Sequence, residues 1–247
     1  MEDSTSITLD AIHLLFSGDA ELWAIIAVSF QVSSTAILIS IPPALALAFI
    51  LANADFPARR LFISIFNTLL AVPAVVVGLT FYLLLSKQGP MGDWKLLFTQ
   101  SAMVMGQAAL CFPILVAMGH AAFQAVDKRA WETARTLGAS PLLAFYTVMK
   151  EARFGLLAAL FAAYGRIIAE VGASMMLGGN ILHYTRNIPT AIALETSKGE
   201  FSQGIALGLV LIMLAFTLNT SLQYFQGKGH PGNYRLICIT HTYIFLT

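Results

Sequence analysis

Charge is what this sequence is shortest of. Lys, Arg, Asp and Glu make up 11% of its 247 residues, while 57% are hydrophobic. Soluble domains carry about 25% charged residues, so the chain cannot clothe a surface in water, and in a bilayer it need not. Mean hydropathy is +0.76. A net charge of +1 says nothing about nucleic acid, but no run of basic residues suggests a phosphate-binding face, so no nucleic-acid partner is expected. The two cysteines, Cys111 and Cys238, have no metal-ligand spacing and make no disulfide framework, so no metal site is expected. The five histidines are scattered. No stretch has the G-x-x-x-x-G-K-[ST] pattern that cradles nucleotide phosphates, and "GKGH" at Gly227–His230 does not supply it. The first residues are acidic and do not read as a cleaved signal. No His, Asp/Glu and Cys groups converge as an intramembrane enzyme would need, so no catalytic residue is assigned.

Long apolar runs are abundant. About 20 apolar residues span the hydrocarbon core, and five segments qualify: Leu22–Ala52, Leu61–Ser86, Ser101–Phe123, Phe154–Leu177 and Ile205–Phe225. The first is long for one crossing and is expected to tilt or kink at Pro42-Pro43. Splitting it there would give six spans, but the Pro-Pro step lacks a polar turn. The chain thus reads as an all-α, multi-pass protein with about five transmembrane helices. Residues 1–21 form an extracytoplasmic segment, 22–226 the transmembrane domain, and 227–247 a tail of different character. "RLICITHTYIFLT" in that tail is too short to span and is expected to pack poorly against the rest.

The loops fix the orientation. One alternate set holds Arg59, Arg60, Lys128, Arg129, Arg135, Lys150, Arg153, Lys228 and Arg235; the other holds Lys87, Lys95, Arg186 and Lys198. The positive-inside bias places the first set in the cytoplasm. Its longest member, Gln124–Arg153, is built to fold. Asp127 is suited to cap a helix over "KRAWETARTL", Gly138 to stop it, and Ser140-Pro141 to start the next.

Within the spans, Arg166 and Glu170 lie four residues apart, on one face of a helix, where they can pair. Charges at that depth face a protein interior or a water-filled cavity. The pair can orient helices or gate a pathway. Gly172, Ala173, Ser174, Gly178 and Gly179 keep the same segment slim. Gln31, Asn67, Thr68 and Gln107 read as interhelical hydrogen-bond formers. In the external loop after Gly178, Asn187 is suited to cap a helix with Pro189 early in it and Gly199 at its stop. Arg186, Glu195, Lys198 and Glu200 are candidate contacts there for an external protein. Trp94, in the turn "KQGPMGDW", reads as an interfacial anchor.

"ETARTLGAS" followed by "VMKEARFGLLAAL" resembles the EAA motif of ABC importer permeases. "LLAVPAVVVGLTFYLLLS" and "GRIIAEVGASMMLGGNI" resemble segments of permeases for molybdate, tungstate and sulfate, and "YTRNIPTAIALETSKGEF" is most similar to the tungstate-type branch. Two positions depart from the motif: Thr133 stands where alanine is usual, and Lys150 near the usual place of a proline. The resemblance implies the type I importer permease fold in the inner or plasma membrane, with a cytoplasmic coupling helix. It implies coupling residues Glu132, Thr133, Ala134, Arg135 and Gly138, and a pathway or gate formed by Arg166, Glu170, Gly172, Ala173 and Ser174. It also implies a cytoplasmic ABC ATPase that uses ATP and Mg, an extracytoplasmic oxyanion-binding protein, and a permease homodimer. The chain itself would bind no cofactor. A self-contained carrier or channel would instead show inverted repeats or acidic relays; the spans offer only Glu170, beside its arginine.

Overall fold

The computed structural model describes residues 19–127 and 129–227; the expected N-terminal segment up to Gly18 and the tail from Lys228 lie outside them. Ten α-helices, and no strand, form the described part.

Helix α1 (Ala20–Asn53) starts where the Asp19 carboxylate accepts the N–H groups of Glu21 and Leu22, at 2.8 and 3.0 Å. It runs unbroken through Pro42 and Pro43, so the first apolar segment is one helix and not two. Its 34 residues span about 50 Å, well beyond a core of about 30 Å. One stripe is buried, from Leu22 and Ile25 through Ser29, Val32, Ala36 and Ser40 to Ala44, Ala48 and Leu51. That spacing is the helical repeat.

The second apolar segment is not one straight span. It divides into α2 (Arg59–Leu69) and α3 (Ala74–Leu85), set at 99° to each other. Pro73 sits at the N-cap of α3 with extended backbone, so the helix restarts there. Arg59, first residue of α2, reaches back to α1: its Nε and Nη2 donate to the carbonyls of Leu51 and Ala52 at 2.7 and 3.0 Å. Those are carbonyls that the end of α1 leaves without helical partners.

A short 3₁₀ turn (Gly92–Trp94) leads to α4 (Gln100–Gln124), which holds Pro113 and packs on most of the other helices. Next come α5 (Arg129–Thr136), α6 (Pro141–Glu151), α7 (Arg153–Ile168) and α8 (Gly172–Gly178). α7 and α8 make up the fourth apolar segment and are bent by 59°. α9 (Ile188–Lys198) and α10 (Phe201–Gly227) complete the described chain. Thus three continuous helices and two bent pairs correspond to the five apolar segments.

The central core joins α1, α4 and α7 through Ala36, Ile37, Leu51, Cys111, Leu115, Ala163 and Ile167. Small residues let backbones approach. A Cβ on Gly119 would lie 3.1 Å from that of Ala48, and one on Gly155 2.7 Å from that of Ala122. Ser34 and Tyr164 share a hydrogen bond of 3.2 Å between α1 and α7. The polar residues singled out in the sequence act differently. Thr68 donates within its own helix to Ser64, Gln31 and Asn67 are exposed, and the buried Gln107 amide has no partner among the described residues.

Opposite ends of the bundle gather opposite loop sets. At one end Arg186 pairs with Glu21, the Ile188 N–H donates to Ser29, and Gln100 donates to the Tyr184 carbonyl. At the other, Phe49 near the end of α1 meets Trp131 and Phe145. This is the separation that the charge bias requires, with α5 and α6 at the basic end, the one expected in the cytoplasm.

Candidate functional site: a coupling element and a broken span

The α5–α6 element is fixed by local chemistry. The Asp127 carboxylate accepts the Arg129 N–H at 2.9 Å, and its carbonyl accepts that of Ala130. At the far end Gly138 has φ +87°. Its N–H donates to the Arg135 carbonyl at 3.1 Å, and the Ala139 N–H donates to that of Ala134 at 3.0 Å. That pair of bonds is the Schellman closure, which favours glycine at its left-handed position. Ser140 then caps α6 by accepting the Leu143 N–H, with Pro141 in the first turn. A Cβ on Gly138 would meet nothing within 4 Å, so conformation and not space calls for glycine.

The break leaves an open groove of about 710 Å³ between α5 and α6, lined by Thr133, Ala134, Gly138, Leu143 and Thr147 among others. Glu132, Thr133, Arg135 and Gly138 are exposed, Ala134 partly so. Glu132 makes no hydrogen bond or ion pair among the described residues. Leu137, beside the break, is 82% exposed, and Leu142 also faces outward. A charged rim around projecting apolar side chains is the make-up of a protein-docking surface.

Beneath this element lies a cluster that the sequence reading did not single out. The Phe49 ring of α1 is 5.3 Å from Trp131 of α5, 4.8 Å from Phe145 of α6 and 5.4 Å from Phe123 of α4. With Ala48, Ala52, Val148 and Ala152 it forms a continuous apolar contact from the α5–α6 element into two long helices. The available signal was Trp131, a large apolar side chain next to Glu132 in an otherwise charged loop.

In the fourth segment Arg166 and Glu170 are joined at 2.8 Å, but not along one helix. α7 ends at Ile168, and Glu170 stands in the break. One carboxylate oxygen, Oε2, takes the guanidinium; the other, Oε1, accepts the N–H groups of Gly172 and Ala173 at 2.8 and 3.3 Å. Glu170 thus compensates a cation and caps α8 together. Its side chain is 8% exposed, that of Arg166 48%. Gly172, Ala173 and Ser174 lie where α8 packs on α3. A Cβ on Gly172 would lie 2.6 Å from Val75 Cγ2, and one on Gly78 2.8 Å from Ala173 Cα. Ala173 and Ser174 are buried, and the Ser174 hydroxyl has no partner among the described residues.

At the opposite end of the bundle Asn187 and Thr190 form a reciprocal capping box, Pro189 lies in the first turn of α9, and Gly199 ends it at φ +85°. Arg186 is turned inward, 12% exposed and 3.4 Å from Glu21. Glu195 is buried and bonded to Lys198 at 3.0 Å. Of the four external candidates, Lys198 and Glu200 are the exposed ones. Trp94 is exposed at the same end.

The sequence profile of the binding-protein-dependent transport system inner membrane component family matches residues 44–227. The chain belongs to this family. It is therefore a multi-pass membrane permease. The tungstate uptake system permease protein TupB of Campylobacter jejuni is 42% identical over 209 residues, covering 85% of this chain and 87% of that protein. TupB of Peptoclostridium acidaminophilum is 36% identical over 216 residues, with 87% and 95% covered. The molybdenum transport permease ModB of Escherichia coli is 32% identical over 206 residues, with 78% and 88% covered. Among solved structures, the inward-facing MetNI methionine ABC transporter matches with a TM-score of 0.62 at 15% identity, covering 83% of this chain and 92% of that one. An amino acid ABC transporter matches at 0.60 and 19% identity, covering 91% and 98%. At these identities the structures speak for the fold, which is that of the ABC importer permeases.

Proposed function

We propose that this permease carries a tetrahedral oxyanion, tungstate in the first place and molybdate next, in an importer driven by a separate cytoplasmic ABC ATPase. The observation that carries the reading is the exposed α5–Gly138–α6 element, on a chain whose similar proteins include tungstate and molybdenum permeases. A projecting, rigidly closed helix with apolar side chains at its break is suited to a groove on a soluble partner. The chain has no phosphate loop, so ATP and Mg would be used by that partner. The matches favour this over a self-contained carrier or channel.

In the proposed cycle, ATP closes two ATPase subunits beneath a permease dimer. Glu132, Thr133, Ala134, Arg135 and Gly138 follow the ATPase surface. Phe49, Phe123 and Phe145 pass the displacement to α1 and α4, because a close-packed interior transmits strain. A loaded binding protein would dock at the external end, where Lys198 and Glu200 are exposed. Arg166 faces the pathway, with Glu170 holding its charge in check. A fixed net positive field would trap a dianion, so selectivity resides in the binding protein. Gly172, Ala173 and Ser174 serve the gate by setting the α3–α8 contact.

The test is ATP hydrolysis by the chain reconstituted with its ATPase and given binding protein loaded with tungstate, molybdate or sulfate. Stimulation by the tungstate-loaded form is expected. Stimulation by the sulfate-loaded form alone would remove the substrate assignment.

A further inference from the structure

The connector between α6 and α7 sorts its charges. Glu151 faces a groove that it shares with Asp127 and Gly155. Lys150 and Arg153 instead line a separate cleft of about 400 Å³, whose walls include Ile41 and Leu45 of α1, Leu115 of α4, and Leu156 and Leu157 of α7. No acidic residue lines this cleft, and Tyr146 stands beside its basic end. Among the described residues, neither cation makes an ion pair or a side-chain hydrogen bond. The Arg153 guanidinium lies over its neighbour Phe154, 4.7 Å from the ring centre. An aliphatic cleft that ends in two cations without a carboxylate partner is complementary to a hydrocarbon body with an anionic head.

We propose that this cleft binds an anionic phospholipid of the cytoplasmic leaflet. One acyl chain lies against Leu45, Leu156 and Leu157, and the headgroup phosphate lies between Lys150 and Arg153 with the Tyr146 hydroxyl as a further donor. The depth agrees. The cleft follows α7 from Arg153 to Leu160, a rise of about 10 Å, which lies within half of a hydrocarbon core of about 30 Å. Basic residues at the cytoplasmic surface contribute about 1 kcal/mol each towards anionic lipid, so two predict a preference of tenfold or more. Earlier positions of α6, Leu143 and Thr147, line the coupling groove. A lipid here would brace the hinge behind that element.

Native mass spectrometry of the detergent-solubilised chain, titrated with phosphatidylglycerol or phosphatidylcholine, tests the binding independently of any transport reading. One phosphatidylglycerol per chain should be retained at least tenfold better than phosphatidylcholine. Lys150→Gln with Arg153→Gln should remove the preference, and Lys150→Arg with Arg153→Lys should keep it. Leu157→Trp, which fills the cleft and leaves both charges, should abolish retention. Equal retention of the two lipids by the unaltered chain would overturn the proposal. So would a preference indifferent to the charge and filling variants. Efficient disulfide cross-linking of two copies through Leu157→Cys would assign the cleft to a second copy and overturn it as well.

Discussion

Arg166 and Glu170 are joined across the end of a helix, at 2.8 Å, while the same carboxylate closes the start of the next. The two contacts use different oxygens, so substitutions can separate them. Glu170→Gln keeps an acceptor for the Gly172 and Ala173 N–H groups and loses the charge. Glu170→Ala loses both. An unmade hydrogen bond to a buried donor costs about 1–3 kcal/mol. Thermal unfolding in detergent should therefore rank the unaltered chain above Glu170→Gln, and Glu170→Gln above Glu170→Ala. Arg166→Ala leaves a buried carboxylate without its cation and should impair gating or assembly. Unchanged transport by that variant would show the pair to be dispensable.

Gly138 offers a sharper separation of fold from function. Its left-handed backbone costs an ordinary L-residue about 1–2 kcal/mol, yet a side chain there would meet nothing in this chain. Gly138→Asn, which tolerates the conformation, should couple better than Gly138→Val. Both should insert normally. The readout is the ratio of ATP hydrolysed to oxyanion transported, and equal ratios for both variants and the unaltered chain would count against the docking assignment.

The contact of α3 with α8 rests on Gly78, where an added Cβ would be 2.8 Å from the Ala173 backbone. Gly78→Ala should force the helices apart and cost about 1–3 kcal/mol. Gly208→Ala is the control, since nothing lies within 4 Å of its added Cβ. A shift in unfolding temperature confined to Gly78→Ala is expected. Equal shifts would mean that the close approach is not limiting.

The aromatic cluster should behave as a transmission. Phe49→Leu keeps most of the apolar volume but gives up three ring contacts, each worth about 0.5–1.5 kcal/mol. ATP hydrolysis should persist while transport falls several-fold. A parallel loss of both would make the cluster a simple packing unit.

The five apolar segments were legible because length and composition alone decide what can cross a bilayer. The caps at Asp127, Ser140 and Asn187 were legible because capping is local. The breaks were not. Pro42, Pro43 and Pro113 lie inside continuous helices, whereas Pro73 starts a new one, so proline by itself does not mark a break. The second break has no proline at all; it depends on Glu170 turning back onto the next helix, a tertiary arrangement. For the same reason Arg186 and Glu195 look solvent-facing in the sequence and are drawn inward in the fold. The Phe49 cluster joins residues from four helices, and no spacing along the chain announces it.

The most direct measurement is oxyanion uptake into sealed liposomes that hold this chain with its ATPase, with tungstate-loaded binding protein outside and ATP inside. Accumulation that requires ATP, and that Gly138→Val abolishes while hydrolysis continues, is the predicted result. Uptake that proceeds unchanged without ATP would contradict the account, because a chain that conducts alone has no need of a coupling element.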